Sequence, residues 1–115
     1  TTKRYSMTLS QKIGDKYGGF DLAILENGQY NKDWRYIHMM PEEFLIAAKN
    51  LRTKRVIAVH NSKFELALHS WKEPLEKITT LNEKENQRLI TPKSGEMVHW
   101  EDDAKVYEKW WKKYD

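Results

Sequence analysis

The sequence has no cysteine, so disulfide frameworks and thiolate metal clusters are excluded, and a metal would have to be held by histidines and carboxylates. No apolar run approaches the ~20 residues that cross a bilayer. The opening Thr1-Thr2-Lys3-Arg4-Tyr5 lacks the apolar stretch of a signal peptide. Charge of one sign is scarce too: 20 basic residues face 17 acidic ones, interspersed, for a net charge of +3. That balance gives no basic footprint for nucleic acid. A soluble, cytoplasmic protein without a nucleic-acid partner is the expectation. Serine-nucleophile elbows and glycine-rich phosphate loops are also missing.

What is present is globular. Apolar residues make up 39% and aromatics 12%, too many large side chains for a disordered chain. A length of 115 residues allows one domain at most, with a modest core. The chain does not begin with Met, and its strands are few for a complete sheet, so residues 1–115 are expected to be a single partial domain, a fragment of a larger one.

The organising stretch is Lys54-Arg55-Val56-Ile57-Ala58-Val59-His60. Its apolar, mostly β-branched run predicts a central strand covered on both faces. His60 falls at the carboxyl end, where a rigid strand meets solvent and where α/β folds place their chemistry. The residues alone leave two roles open for it, a strand cap or a ligand.

Upstream, Leu9, Ile13 and Tyr17 recur at helical spacing, with Ser6 or Thr8 as cap and Gly18-Gly19 as stop. Gly14 weakens that helix. Phe20 to Leu25 has strand length. Glu26 to Met40 shows no periodicity; it holds the turn signal Asn27-Gly28 and then Tyr30, Trp34, Tyr36 and His38. So long a loop in a small domain is usually functional. Pro41, Glu42 and Glu43 open a helix whose buried face is Phe44, Leu45, Ala48 and Leu51.

Beyond His60 comes a second loop carrying Phe64, Leu66, Leu68, His69 and Trp71. Ser70 and Glu73 suggest a capping box ahead of a helix through Leu75 and Ile78. Arg88 to Thr91 predicts a strand, with Glu96 to Trp100 as its hairpin partner. Asp102 or Asp103 would cap a last helix, which is a capping role and not paired-carboxylate catalysis. In that helix Val106 and Trp110 share one face, and Tyr107, Trp111 and Tyr114 another. Its lysines and aromatics allow a lipid contact, but packing on the domain is the commoner fate of such a helix, so membrane contact is not expected. The alternation of helices and strands favours an α/β fold.

The constellation Gly28-Gln29-Tyr30, Trp34, His38-Met39-Met40-Pro41-Glu42-Glu43, Val59-His60 and Lys63-Phe64 resembles the C-terminal half of metallo-β-lactamase-fold hydrolases. The subgroup it is most similar to includes the ascorbate-phosphate lactonases and the N-acyl-phosphatidylethanolamine-hydrolysing phospholipase D. The likeness runs from about Ile13 to Glu96 and is most specific from Phe20 to Trp71.

The resemblance implies half of an αββα sandwich and a zinc-type divalent metal that activates water for attack on an ester, lactone or phosphoester. His60 would be a metal ligand. His38 would position substrate, and Tyr30 and Trp34 would line the pocket of a small-molecule substrate. Two departures accompany it. Asn61-Ser62 stands where the family usually has Trp-Gly, and the H-x-H-x-D-H motif that supplies most ligands is absent, as is a bridging Asp near Thr2. The metal is therefore expected only with the missing N-terminal half, and the chain alone is expected to be inactive. Its partner would be that half or a second copy of itself. The alternative, from another class, is a non-catalytic interaction module that keeps half the fold.

Overall fold

The computed structural model describes residues 2–34, 37–63, 65 and 67–114, with side chains from residue 9 onward. Tyr36, Phe64 and Leu66, named above, lie outside the described residues. The elements are α1 (Thr2–Tyr17), β1 (Ala23–Glu26), α2 (Pro41–Leu51), β2 (Arg55–Val59), α3 (Glu73–Glu85) and β3 (Arg88–Ile90). Short 3-10 turns span Lys32–Trp34 and Trp110–Lys113. The strands form one parallel sheet in the order β1-β2-β3. Parallel neighbours need crossovers, which α2 and α3 provide, so the α/β class follows directly from the alternation.

Local chemistry explains the crossover helices. At α2, Pro41 occupies the first turn, and Glu43 reaches back to accept the Met40 N–H at 2.9 Å. The helix ends on Arg52 in the left-handed conformation. Helix α3 ends the same way at Asn86, whose neighbour Gln87 is tied to the Asn82 side chain in both directions.

Phe44, Leu45 and Ala48 of α2 pack with Val56, Leu75, Ile78 and Trp111 as the core. Ala23, Leu25, Ala58 and Leu89 lie against it from the sheet. Since side chains alternate along strands, the register Ile24–Ile57–Ile90 belongs to the opposite face. There Ile24 is 61% exposed and Val59 39% exposed. The strand is central, as its sequence predicts, but its outer face is covered unevenly: Ile90 is buried and Ile57 half-buried, while Ile24 and Val59 are open.

Several local expectations are corrected. Helix α1 begins at Thr2, before the expected caps. It does not dock through its apolar spacing: Leu9 and Tyr17 are exposed, while Gly14 is buried against the backbone of Asn50 and Leu51, where a Cβ would lie 2.2 Å from the Asn50 carbonyl oxygen. The hairpin partner at 96–100 does not form. Pro92 cannot donate to a ladder, and Lys93 and Glu96 instead close a turn through the Glu96 side chain and the Lys93 carbonyl.

The final helix is replaced by turns and one 3-10 turn. Asp103 is drawn to the start of β2, where it accepts two hydrogen bonds from Arg55 at 2.7 and 2.9 Å. Trp111 is pulled into the core, and Val106 stays exposed although it was expected to share a face with the half-buried Trp110. The capping box at Ser70 is also absent, because Glu73 is engaged elsewhere.

Candidate functional site

The carboxyl ends of β1 and β2 lie side by side, with Glu26 in register with Val59. The pairing continues one step beyond the strands, the Asn27 N–H donating to the Val59 carbonyl at 2.8 Å. Gly28 then lies flat against the next peptide: a Cβ there would be 1.5 Å from the His60 carbonyl oxygen. Asn27-Gly28 reads as a turn in the sequence, but in the fold it is the seat of His60. That seat holds His60 at φ +67°, with Ser62 at φ +70° two residues on, both left-handed. Non-glycine residues take this conformation at a cost of about 1–2 kcal/mol, met by the surrounding packing.

His60 is exposed and stacks on His38, with ring centroids 5.4 Å apart and planes at 24°. His38 follows the 3-10 turn of Trp34; its N–H donates to the Trp34 carbonyl at 2.9 Å and the two rings sit 6.2 Å apart. Glu26 closes the group, one carboxylate oxygen accepting the Met39 N–H and the other lying 3.5 Å from His38 Nδ1. Of the sequence-predicted residues, His60, His38 and Trp34 thus meet in one corner.

Tyr30 does not stand in that corner. It is 3% exposed, stacks on His69 at 4.4 Å and donates its hydroxyl to Glu73 at 2.5 Å. Burial first, then the Glu73 hydrogen bond and the charges of Glu73 and Glu42, push that hydroxyl far above its ordinary range. It therefore stays protonated and donates. His69 Nδ1 meets the Ser70 carbonyl at 2.9 Å, and Lys77 pairs with Glu73 at 3.5 Å. Asn27 to the Pro74 carbonyl and Asn31 to the Ala67 carbonyl complete a brace between the two loops.

Glu26, His69 and Glu73 were not singled out by the sequence as site residues. The one local signal for Glu26 is a carboxylate ending an apolar run.

Among the described residues, no group of three or more His, Cys, Asp or Glu is placed to hold a metal ion. Zinc sites use three or four protein ligands. The donors among the described residues do not by themselves complete such a site. No helix of the described residues is long and apolar enough to cross a membrane.

Residues 5–61 match the beta-lactamase superfamily domain, a stretch that ends just after His60. The outer membrane protein RomA of Klebsiella pneumoniae is 58% identical over 48 residues, covering 42% of this chain and 36% of that protein. An uncharacterized protein of Mycobacterium tuberculosis is 33% identical over 111 residues, 94% of this chain and 29% of its own length. The mitochondrial N-acyl-phosphatidylethanolamine-hydrolyzing phospholipase D of Saccharomyces cerevisiae is 35% identical over 82 residues, 69% of this chain and 18% of that enzyme. The chain thus spans about a third or less of the relatives it matches. With its α/β sheet and the match through the His60 strand, the chain belongs to the beta-lactamase superfamily, as part of a metallo-beta-lactamase-fold protein.

Proposed function

We propose that the chain is part of a metal-dependent, zinc-type hydrolase acting on an ester, lactone or phosphoester, to which it contributes one metal ligand and a pocket wall. The observation that carries this is the stack of His60 on His38 at the open carboxyl end of the sheet. His60 is the ligand in this reading, His38 and Trp34 contact substrate, and Tyr30 supports the wall from behind. The name of the yeast relative, a phospholipase D, supports the phosphoester within that range. The remaining ligands and the metal come with the rest of the protein, which also covers the exposed face around Ile24 and Val59. Without it, a second copy takes that face, and this chain purified alone associates and hydrolyses nothing with added zinc. A cytoplasmic location is part of the proposal, tested by fractionation of the full-length protein.

In the full-length protein, His60→Ala lowers metal content and hydrolysis together. His38→Ala lowers hydrolysis and leaves metal content alone. Unchanged metal stoichiometry in the His60 variant overturns the assignment. The second reading, a non-catalytic module, is favoured by the incomplete donor set, and it prevails if the full-length protein binds no divalent metal.

A further inference from the structure

Glu26 is a charged residue in an apolar row. By strand alternation it shares the outer face of the sheet with Ile24, Ile57 and Val59. Its side chain is nonetheless only 28% exposed. Oε1 is satisfied by the Met39 N–H. Oε2 is enclosed and has no hydrogen-bond partner among the described residues, and His38 Nδ1 stands 3.5 Å away. An enclosed carboxylate oxygen without a donor is costly. Among the described residues the group placed to relieve it is that ring nitrogen, provided it carries its hydrogen.

We propose that Glu26 is the positioning residue of this site: it fixes His38 as the Nδ1–H tautomer, leaving Nε2 as the free acceptor toward substrate. The Met39 bond is what makes the carboxylate a fixed reference. With Oε1 anchored on the backbone next to His38, Oε2 cannot follow the ring, so the ring must orient to it. The same constraint sets the plane in which His38 stacks on His60. A neutral imidazole has one donor and one acceptor nitrogen, so the choice at Nδ1 decides what Nε2 offers. The assignment of Nε2 to substrate rests on the function proposed above; the tautomer itself does not.

The test is long-range 1H–15N NMR of the full-length protein at a pH where the ring is neutral, with the His38 signals identified by their loss in His38→Gln. The wild-type ring should show the Nδ1–H pattern. Glu26→Gln keeps an acceptor for Met39 but turns an NH2 group toward Nδ1, and should convert His38 to the Nε2–H pattern. Glu26→Asp, which keeps the charge, should restore a majority of Nδ1–H. An Nε2–H pattern in the wild type overturns the proposal without any variant. So does a His38 pattern that is the same in wild type and Glu26→Gln. If the tautomer behaves as expected and no ester is hydrolysed, the hydrolase reading falls and the role of Glu26 stands.

Discussion

Two histidine–carboxylate groups sit on the same pair of loops and have opposite characters. In one, His69 lies under Tyr30, Glu73 takes the tyrosine hydroxyl and Lys77, and three hydrogen bonds from Asn27, Tyr30 and Asn31 brace one loop to the other. In the other, His60 is exposed, His38 is held by one backbone bond and a carboxylate, and the backbone is left-handed at His60. The residue types are alike; the burial and the partners differ. The first group is a fastening that makes the second possible, because an exposed strained histidine keeps its place only if its surroundings are rigid.

The comparison breaks most visibly at Gly28. A methyl group there meets the His60 backbone, which cannot yield as a flexible side chain could. Gly28→Ala is expected to destabilise by about 3 kcal/mol, the upper range for overpacking, and to displace His60. Thermal unfolding measures the first effect and loss of the His38–His60 ring contact in NMR the second. A variant as stable as wild type would show that the two loops are not rigidly joined.

Next in size is Tyr30→Phe, which removes one bond of the fastening. Glu73 is 30% exposed, so water can replace part of what is lost. The expected cost is about 1 kcal/mol by denaturant titration, with the bound-metal content of the full-length protein unchanged. A loss of activity without a loss of stability would move Tyr30 into the working corner and dissolve the distinction.

His60→Gly sharpens the contrast from the other side. Glycine adopts φ +67° without penalty, but it also gains freedom when unfolded. Stability should hold or rise by up to about 1 kcal/mol, while metal content falls. A destabilised variant would mean that the imidazole is part of the packing and not of the chemistry.

How far these regions were legible in the sequence follows the range of the forces involved. Helix α2 and strand β2 were plain, because Pro41, the Glu42-Glu43 pair and the Val56–Val59 run act on their own neighbours. The tail departs from its local pattern for the opposite reason. The spacing of Val106 and Trp110 fits a helix locally, yet Trp111 gains more in a core built 55 residues upstream around Val56, and Asp103 is held by Arg55 across 48 residues. In the candidate site, His38 and His60 are given their roles only by the family likeness, and the fold brings their rings together. The role of Glu73 was not legible, since it depends on Tyr30, 43 residues away, and capping is what its local sequence suggests. Gly28 carries only a turn signal in the sequence, since a turn glycine and a glycine that makes room for another peptide look the same in one dimension.

The smallest expected effect lies at the other end of β2, and it concerns stability in acid. Arg55 holds Asp103 through two hydrogen bonds, with Arg88 3.7 Å from the same carboxylate. The Arg55 hydrogen bond, then its charge and those of Arg88 and Lys54, keep the Asp103 carboxyl below its usual range. A carboxyl depressed in the folded state binds protons more readily when unfolded. Its contribution is therefore complete above the unfolded value of about 4 and is lost as pH falls through the lower folded value. The matching rise at Arg55 lies too far into alkali to matter between these limits. Asp103 is 59% exposed, so the pair is partly screened and the effect is small. Asp103→Asn should lower Tm slightly near neutrality, and the gap to wild type should close between about pH 5 and pH 2. Added salt should narrow it at every pH. If the gap instead stayed constant into acid, the lost contribution would be packing of the side chain and not the charge pair with Arg55.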